Sequence, residues 1–220
     1  MSSEPIRDPI NDDLLTSKNS ALVIIDYQPV QVNSIASMDR QLLVNNIVGV
    51  AKIGVAYGLP IIHSTVNVKT GLNKPAIAQL RKVLEGTETY DRTSINAWED
   101  EEFVKAVKVT GRNKLIVAAL WTEACLTFPS LDALREGYQV YPVVDAVGGT
   151  SVEAHNTALR RIELAGGKPI SWTQLLCELQ RDWARQETVS AFLNLFIEIG
   201  GTAGLQFSAD KDERAAQSKK

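Results

Sequence analysis

The sequence contains no cluster of basic residues and no long apolar segment. Its 220 residues carry a formal net charge of −3, and Lys and Arg are scattered along the chain. The electrostatic footprint of a nucleic-acid-binding protein is therefore missing. No apolar run approaches the roughly 18 residues that a membrane helix needs. We expect neither nucleic acid nor a membrane as a partner.

The sequence is also poor in cysteine, and its first residues do not resemble a secretion signal. The opening stretch MSSEPIRDPINDDLLTSKNS is polar and acidic, without the basic and apolar regions that such a signal combines. Cys125 and Cys177 are the two cysteines of the chain. We expect a cytoplasmic protein in which both thiols stay reduced.

Length and composition are typical of one α/β domain. Apolar residues make up 45% of the chain and charged residues 22%, which is enough to bury one sizeable core but hardly two. We predict an N-terminal arm over residues 1–19, a single domain over 20–207 and a disordered polar tail over 208–220.

Short apolar or β-branched runs predict five strands, at residues 21–26, 60–65, 114–120, 139–144 and 168–171. Segments with helical periodicity that end at a glycine separate most of these runs. Such alternation is typical of a mainly parallel sheet with helices on both faces. The prediction is a three-layer α/β/α sandwich with Rossmann-like topology, in which ligands bind beyond the carboxyl ends of the strands.

Two side chains that can do chemistry follow predicted strands. Asp26 closes the first strand, and Cys125 begins the helix after the third. Free N–H groups at a helix N-terminus favour a thiolate, and a nucleophilic cysteine needs a base and a nearby positive charge. Asp26 is the candidate base. Arg92, in the connection over residues 90–98, is the candidate cation that pairs with Asp26 and lowers the pKa of the thiol.

Each of these residues also has a purely structural interpretation. Asp26 is as well explained as a loop cap, Arg92 as a surface arginine and Cys125 as a buried apolar cysteine. Cys177 lies well inside a predicted helix, and we interpret it as a core residue. The two histidines of the chain lie in a strand and in a helix, so a pairing of cysteine with histidine gains little support.

Four stretches of the sequence follow one family pattern in order: ALVIIDYQ, RTSINAWEDEEFVKAVK, KLIVAALWTEACLTFPSLDALREGYQVYPVVDA and CELQRDW. The Asp-x-Gln of the first is not specific alone, whereas T-x-x-C after a buried strand, within this ordered set, is. Over about residues 20 to 185 the chain resembles the isochorismatase-like cysteine hydrolase family, and most closely its YcaC-type members.

The resemblance implies a catalytic trio of Asp, Lys and Cys, carried here by Asp26, Arg92 and Cys125. The sequence departs from the family at Arg92, which stands where the pattern K-x-x-x-[S/N]-A-[F/W] has Lys. Arginine keeps the charge but is larger, planar and bidentate. The resemblance also implies a cis peptide bond between Leu120 and Trp121, and an oxyanion hole made by the backbone N–H groups of Trp121 and Cys125.

The resemblance further implies a cysteine-dependent hydrolase that cleaves a small amide-type C–N bond through a thioester, and a homo-oligomer that is an octamer. We expect no cofactor. Nicotinamidases of this family hold a metal through an Asp and two His. The segment STVNVKTGLNKP, after the second predicted strand, contains no Asp-x-His, so we predict no catalytic metal.

Side chains at strand ends and helix starts are candidates for the substrate pocket and favour a small, partly apolar substrate. They are Tyr27, Gln28, Asn67, Trp98 and Phe128, together with Trp121. Packing in the core or at an interface explains each tryptophan equally well. The alternative function is a non-catalytic or weakly active oligomeric protein of the same fold that binds a small molecule, in which Arg92 and Trp121 prevent efficient turnover.

Overall fold

A five-stranded parallel sheet forms the centre of the protein, whose computed structural model describes residues 7–217. Its strands are β1 (Ser20–Ile25), β2 (Ile61–Val66), β3 (Thr89–Arg92), β4 (Lys114–Ala119) and β5 (Gln139–Pro142). Their order across the sheet is β3-β2-β1-β4-β5, and all neighbours are parallel. The two central strands, β1 and β4, are buried along their whole length, as expected when both faces are covered.

Helices flank the sheet and complete the predicted three-layer α/β/α fold class, which is confirmed. They are α1 (Pro29–Asn33), α2 (Arg40–Ala56), α3 (Ala78–Val83), α4 (Glu101–Val109), α5 (Thr127–Arg135), α6 (Val152–Leu164), α7 (Trp172–Gln180), α8 (Gln186–Ile199) and α9 (Gly201–Gln217). Polar side chains cap the starts of several helices; for α2, α4, α6 and α7 they are Asp39, Asp100, Ser151 and Ser171. No helix within residues 7–217 is long and apolar enough to cross a membrane.

One of the strand predictions was wrong, and one strand was not predicted. Residues 168–171 form no strand of the sheet and contribute a single bridge, between Val143 and Ile170. The sheet instead gains β3, whose four residues TYDR are mostly not buried. Because β3 lies at the edge, it lacks the apolar run by which a central strand is recognised. Arg92 therefore ends a strand and does not lie in a loop.

The two ends of the chain were predicted to be an N-terminal arm and a disordered tail. Helix α9 runs into the segment predicted as the tail, residues 208–220, and ends at Gln217. Residues 1–6 and 218–220 lie outside the described part. The arm is fastened to the domain by the Lys114 ammonium, which donates hydrogen bonds to the carbonyls of Asp12, Asp13 and Leu14.

Candidate active site

The candidate catalytic residues come together at the carboxyl ends of neighbouring strands. Asp26 follows β1, Arg92 ends β3, and Cys125 lies in the turn after β4. Strand order reverses between β1 and β4: β2 and β3 follow on one side of β1, and β4 and β5 follow on the other. A crevice forms at such a switch point, which is the usual ligand site of an open α/β sheet.

Arg92 and Asp26 form a buried bidentate ion pair. Arg92 Nη1 lies 2.8 Å from Asp26 Oδ1, and Nη2 lies 2.7 Å from Oδ2. Asp26 is wholly buried and Arg92 is only 3% exposed, which excludes a surface role for the arginine. Burial lowers the pKa of Arg92, but the hydrogen bonds and charge of Asp26 outweigh it, so the pKa lies above its ordinary value.

The backbone and one hydroxyl hold the remaining N–H groups of the two terminal nitrogens, whereas the buried Nε of Arg92 has no partner among the described residues. Nη1 also donates to Ser64 Oγ and the Thr65 carbonyl, and Nη2 to the Ile95 carbonyl, each at 3.1 Å. These contacts use all four N–H groups of the two terminal nitrogens. Arg92 therefore connects the ends of β1 and β2 with the loop after β3, and its terminal nitrogens have no N–H group left for a substrate.

Cys125 lies in a wide π-helical turn, Thr122–Leu126, and not in the first α-helical turn predicted from the sequence. In this turn the Leu126 N–H donates to the Trp121 carbonyl at 3.1 Å. The Asp26 carboxylate and the Trp121 N–H both act on the pKa of the Cys125 thiol, the first raising it and the second lowering it. Nucleophile, carboxylate and a backbone donor are thus neighbours.

The prediction that the pKa of Cys125 is lowered was wrong. Burial, followed by the charge and hydrogen bond of Asp26, raises it to about 12, against the opposing effects of Arg92 and the Trp121 N–H. The charge of Arg92 is largely neutralised by the carboxylate that it contacts, so burial dominates. Cys125 is consequently a neutral thiol at physiological pH, and the residue is only 7% exposed.

Trp121 contributes both its backbone and its side chain to this region. The Leu120–Trp121 peptide bond is cis. Among residues 7–217, no backbone carbonyl accepts a hydrogen bond from the Trp121 N–H. The indole Nε1 donates to Ser34 Oγ at 2.6 Å, which ties the residue after β4 to the loop after α1.

Two of the predicted pocket residues do not line open space. Tyr27 and Gln28 are wholly buried. The Tyr27 hydroxyl donates to the Ala146 carbonyl at 2.5 Å, and the Gln28 amide bonds to both backbone groups of Val66 and to the Lys74 carbonyl. Through these hydrogen bonds, Tyr27 and Gln28 join separate segments of the chain. Their role in the structure is therefore to hold those segments together, and not to line the pocket.

The other predicted pocket residues, Asn67, Phe128 and Trp98, have different surroundings. Asn67 is half-buried and donates its backbone N–H to the Arg92 carbonyl at 2.8 Å. Phe128 is 37% exposed and follows Cys125 by three residues. Trp98 packs edge-on against Tyr138 and lines a surface groove along α4, where it contributes nothing to the trio.

Two residues that complete the site, Ser64 and His155, were not predicted from the sequence. Ser64 bonds to Arg92, and His155 Nδ1 lies 2.9 Å from Thr122 Oγ1 in the cysteine turn. The hydroxyl near the end of the second strand could have indicated Ser64. The threonine of T-x-x-C could have indicated that its hydroxyl needs a partner, which is His155. Burial lowers the pKa of the other histidine, His63, to about 4, which leaves it neutral.

Cys177 is exposed on α7, so its interpretation as a core residue was wrong. It lies on the solvent side of a helix whose opposite side carries Leu175, Leu176 and Leu179 into the core. Within residues 7–217, no three side chains of His, Cys, Asp or Glu come together in the manner of metal ligands.

Comparisons with known proteins converge on one family. The family model described as Isochorismatase domain matches residues 20–174. A relative from Escherichia coli (strain K12), named Probable hydrolase YcaC, is 34% identical over 170 residues, which cover 77% of this chain and 81% of the relative.

Solved structures show the same similarity. YcaC of Escherichia coli, described as an octameric hydrolase of unknown specificity, matches with a TM-score of 0.85 and 30% identity over 92% of this chain and 98% of its own. YcaC from Pseudomonas aeruginosa, with hexane-2,5-diol and covalent acrylamide, matches with a TM-score of 0.83 and 29% identity over the same shares. The nicotinamidase PncA of Bacillus subtilis, 18% identical with a TM-score of 0.59 over 70% of this chain and 100% of its own, shares the fold.

Proposed function

This chain belongs to the isochorismatase family of hydrolases, and from that premise we propose that it cleaves a C–N bond of a small amide through a thioester on Cys125. The observation that carries the proposal is the position of the Cys125 thiol beside the buried carboxylate of the Asp26–Arg92 pair, close enough for that carboxylate to raise the pKa of the thiol. A nucleophile and its base within hydrogen-bond reach, with the base held by a third group, are the geometric signature of nucleophilic catalysis.

In the first step, Asp26 removes the proton of the thiol. Because the pKa of Cys125 is raised to about 12, the sulfur is not a thiolate at rest and must lose its proton as it attacks. Asp26 lies close enough to the thiol to raise its pKa. The S–C bond forms while the proton moves to the carboxylate, and the π electrons of the carbonyl move to its oxygen.

The backbone N–H groups of Trp121 and Cys125 stabilise the resulting oxyanion. Support comes from the Trp121 N–H, which acts to lower the pKa of the Cys125 thiol and donates to no backbone carbonyl within residues 7–217. A single donor of this kind is worth about 3 kcal/mol in the transition state.

The intermediate then collapses, and water completes the reaction. The C–N bond breaks as Asp26 returns its proton to the departing nitrogen, which leaves a thioester and an amine or ammonia. Asp26 next takes a proton from a water molecule whose oxygen attacks the thioester. The C–S bond breaks, the sulfur regains its proton, and a carboxylic acid is released.

Arg92 acts in this scheme by holding Asp26, not by binding the substrate. All N–H groups of its terminal nitrogens are engaged, and 1% of its side chain is exposed. The small exposed fraction of Cys125 favours a small substrate. The Pseudomonas aeruginosa relative carries covalent acrylamide, a small amide-containing electrophile, which supports a reactive nucleophile in this fold.

We further propose that the chain assembles into a homo-octamer. The support is the Escherichia coli relative, which is described as octameric. Light scattering coupled to size-exclusion chromatography should give the mass of eight chains, and the mass of a single chain would refute this part of the proposal.

The catalytic proposal is tested by ammonia release from a panel of small primary amides. Activity should vanish in Cys125→Ala and persist in Cys177→Ala, because the second cysteine lies on the far side of α7 from the core. An active Cys125→Ala variant would refute the thioester route. Amide binding without hydrolysis by the unmodified protein would favour the alternative of a non-catalytic binding protein.

A further inference from the structure

The turn that carries Cys125 is tied to residues 148–155, a segment that the proposed mechanism does not use. The Thr122 N–H donates to the Gly148 carbonyl at 2.9 Å. The Thr122 hydroxyl shares a hydrogen bond of 2.9 Å with His155 Nδ1. Thr122 is wholly buried, so this imidazole takes the place of water as the partner of its hydroxyl.

The next residue of the turn is fastened to the same segment. Glu123 Oε1 accepts hydrogen bonds from the N–H of Thr150 at 2.9 Å and from its hydroxyl at 2.6 Å. Two successive residues, three and two positions before the nucleophile, are thus fixed by the loop before α6 and by the first turns of that helix.

A glycine at position 149 is required for this approach. A Cβ atom there would lie 2.6 Å from Glu123 Oε2 and 3.1 Å from both Cβ and the backbone nitrogen of His155. Carbon atoms do not normally come so close to these atoms, so a side chain at Gly149 would displace the Glu123 carboxylate or move the start of α6.

The contacts with residues 148–155 are important for the shape of the turn, because a π-helical turn is an uncommon structure. A π-helical turn is rare and occurs mostly as a single turn at functional sites. Its position decides where the Cys125 sulfur lies relative to Asp26 and to the Trp121 N–H. A displacement of about 1 Å in a reacting group can cost on the order of a hundredfold in rate.

We propose that His155 and Glu123 are positioning residues, which fix the π-helical turn so that the Cys125 sulfur stays against Asp26 and the Trp121 N–H. Neither touches the reacting atoms. The inference rests on the proposed cysteine chemistry, but the reactivity of the thiol tests it independently of amide hydrolysis.

The decisive comparison is between His155→Leu, which keeps the volume and loses the hydrogen bond, and His155→Asn, whose amide can occupy the place of Nδ1. Both are made in a Cys177→Ser background, with Asn156→Ala, exposed on the same helix, as the matched control. The measurements are kcat and KM for amide hydrolysis, the rate of Cys125 alkylation by acrylamide across pH, and the melting temperature.

We expect His155→Leu to lower kcat by about 10- to 100-fold with little change in KM, and to shift the pH profile of alkylation. His155→Asn should recover most of kcat, and Asn156→Ala should match the parent. A Leu variant with parental kcat and an unchanged alkylation profile would overturn the proposal, as would an Asn variant as impaired as the Leu variant.

Gly149→Ala provides a second test should His155→Leu fail to fold. It leaves every side chain of the trio intact and acts by displacing the Glu123 carboxylate or the start of α6, which carries His155. A slower alkylation of Cys125 with an altered pH profile is expected, and parental reactivity would contradict the role of Glu123. If the parent hydrolyses no amide, the proposed function fails, and the alkylation data still decide whether these residues position the thiol.

Discussion

At the scale of single residues, the arginine at position 92 makes contacts that a lysine could not reproduce together. Its guanidinium spans both oxygens of Asp26, a hydroxyl of β2 and two backbone carbonyls. An ammonium group is a compact point charge with three donors. In this chain the cation therefore organises the ends of three segments as well as balancing the charge of Asp26.

Two replacements of Arg92 should distinguish what its charge and what its hydrogen-bond geometry contribute to stability. Arg92→Met leaves a buried, unpaired carboxylate and should lower the free energy of unfolding by about 3–5 kcal/mol. Arg92→Lys keeps the pair, loses part of the hydrogen bonding and should cost less than half as much. Urea denaturation measures both values. Equal stability of the Met variant and the parent would contradict the assigned ion pair.

Replacement of Asp26 should make the thiol more acidic and abolish hydrolysis at the same time. After burial, the charge and hydrogen bond of Asp26 are the main causes that raise the pKa of Cys125 to about 12, and Arg92 opposes them. In Asp26→Asn, made in a Cys177→Ser background, the pKa should therefore fall. Thiolate absorbance as a function of pH measures it.

Circular dichroism serves as the control for folding of Asp26→Asn. Faster alkylation near neutral pH combined with lost amidase activity is expected, since the base is gone while the thiolate is easier to form. A pKa of Cys125 that stays at its parental value, or retained turnover, would exclude Asp26 as its proton acceptor.

The sequence was sufficient to predict that Asp26, Arg92 and Cys125 lie together, but not that the pKa of the Cys125 thiol is raised. Asp26 and Cys125 each follow an apolar strand, and parallel strands bring their carboxyl ends to one edge. The pKa of the thiol depends on how deeply Cys125 is buried and on how far Arg92 is neutralised by Asp26. Both are properties of the assembled site, which no spacing in the sequence encodes.

At the scale of secondary-structure elements, the central strands were predictable and the edge was not. β1 and β4 are continuous apolar runs, whereas β3 is a short strand of Thr, Tyr, Asp and Arg that pairs only with β2. The π-helical turn at Thr122–Leu126 likewise has no periodicity of its own, because tertiary contacts to residues 148–155 hold it. An edge strand that forms by pairing with its neighbour, or a turn that forms through contacts distant in sequence, cannot be predicted from local patterns of apolar residues.

The contact between α2 and α8 can be tested through a single glycine. A Cβ at Gly49 would lie 2.5 Å from Ile199 Cδ1, and valine at position 199 lacks that atom. Gly49→Ala should destabilise the parent but be tolerated, or even stabilise through the helix propensity of alanine by about 1 kcal/mol, when combined with Ile199→Val.

A double-mutant cycle by urea denaturation measures this coupling. We expect a coupling energy of about 1 kcal/mol or more in favour of the double variant. Purely additive effects would show that α8 does not pack on Gly49 as described.

At the scale of the whole molecule, the topology explains why one buried pair can serve catalysis. The sheet reverses its order between β1 and β4, so the candidate site lies at the ends of the two most buried strands. Asp26 is wholly buried there, and Arg92 and Cys125 are nearly so. This burial excludes water from the Asp26–Arg92 pair and keeps the Cys125 thiol neutral.

This arrangement predicts a characteristic loss of stability in alkali. The pKa of Cys125 is about 12 in the folded chain and lies near its ordinary value of 9.0 when unfolded. A raised pKa means that the folded state holds the proton more tightly, so its contribution is complete below about pH 9 and is lost as the pH rises towards 12.

Urea denaturation of the parent and of Cys125→Ala isolates this contribution. Above pH 9 the parent should lose up to about 1.4 kcal/mol per pH unit more than the variant. Parallel stability curves for the two proteins between pH 9 and 11 would show that burial does not perturb the thiol.

The central claim is that Cys125 carries the acyl group during turnover, and the most direct test is intact-mass measurement after rapid acid quenching of a Cys177→Ser variant mixed with a small amide. We predict a mass increase equal to the acyl group of the amide, mapped to Cys125 and absent when Cys125 is also replaced by alanine. Amide hydrolysis that proceeds with no adduct on Cys125, and persists in the Cys125→Ala protein, would contradict the account.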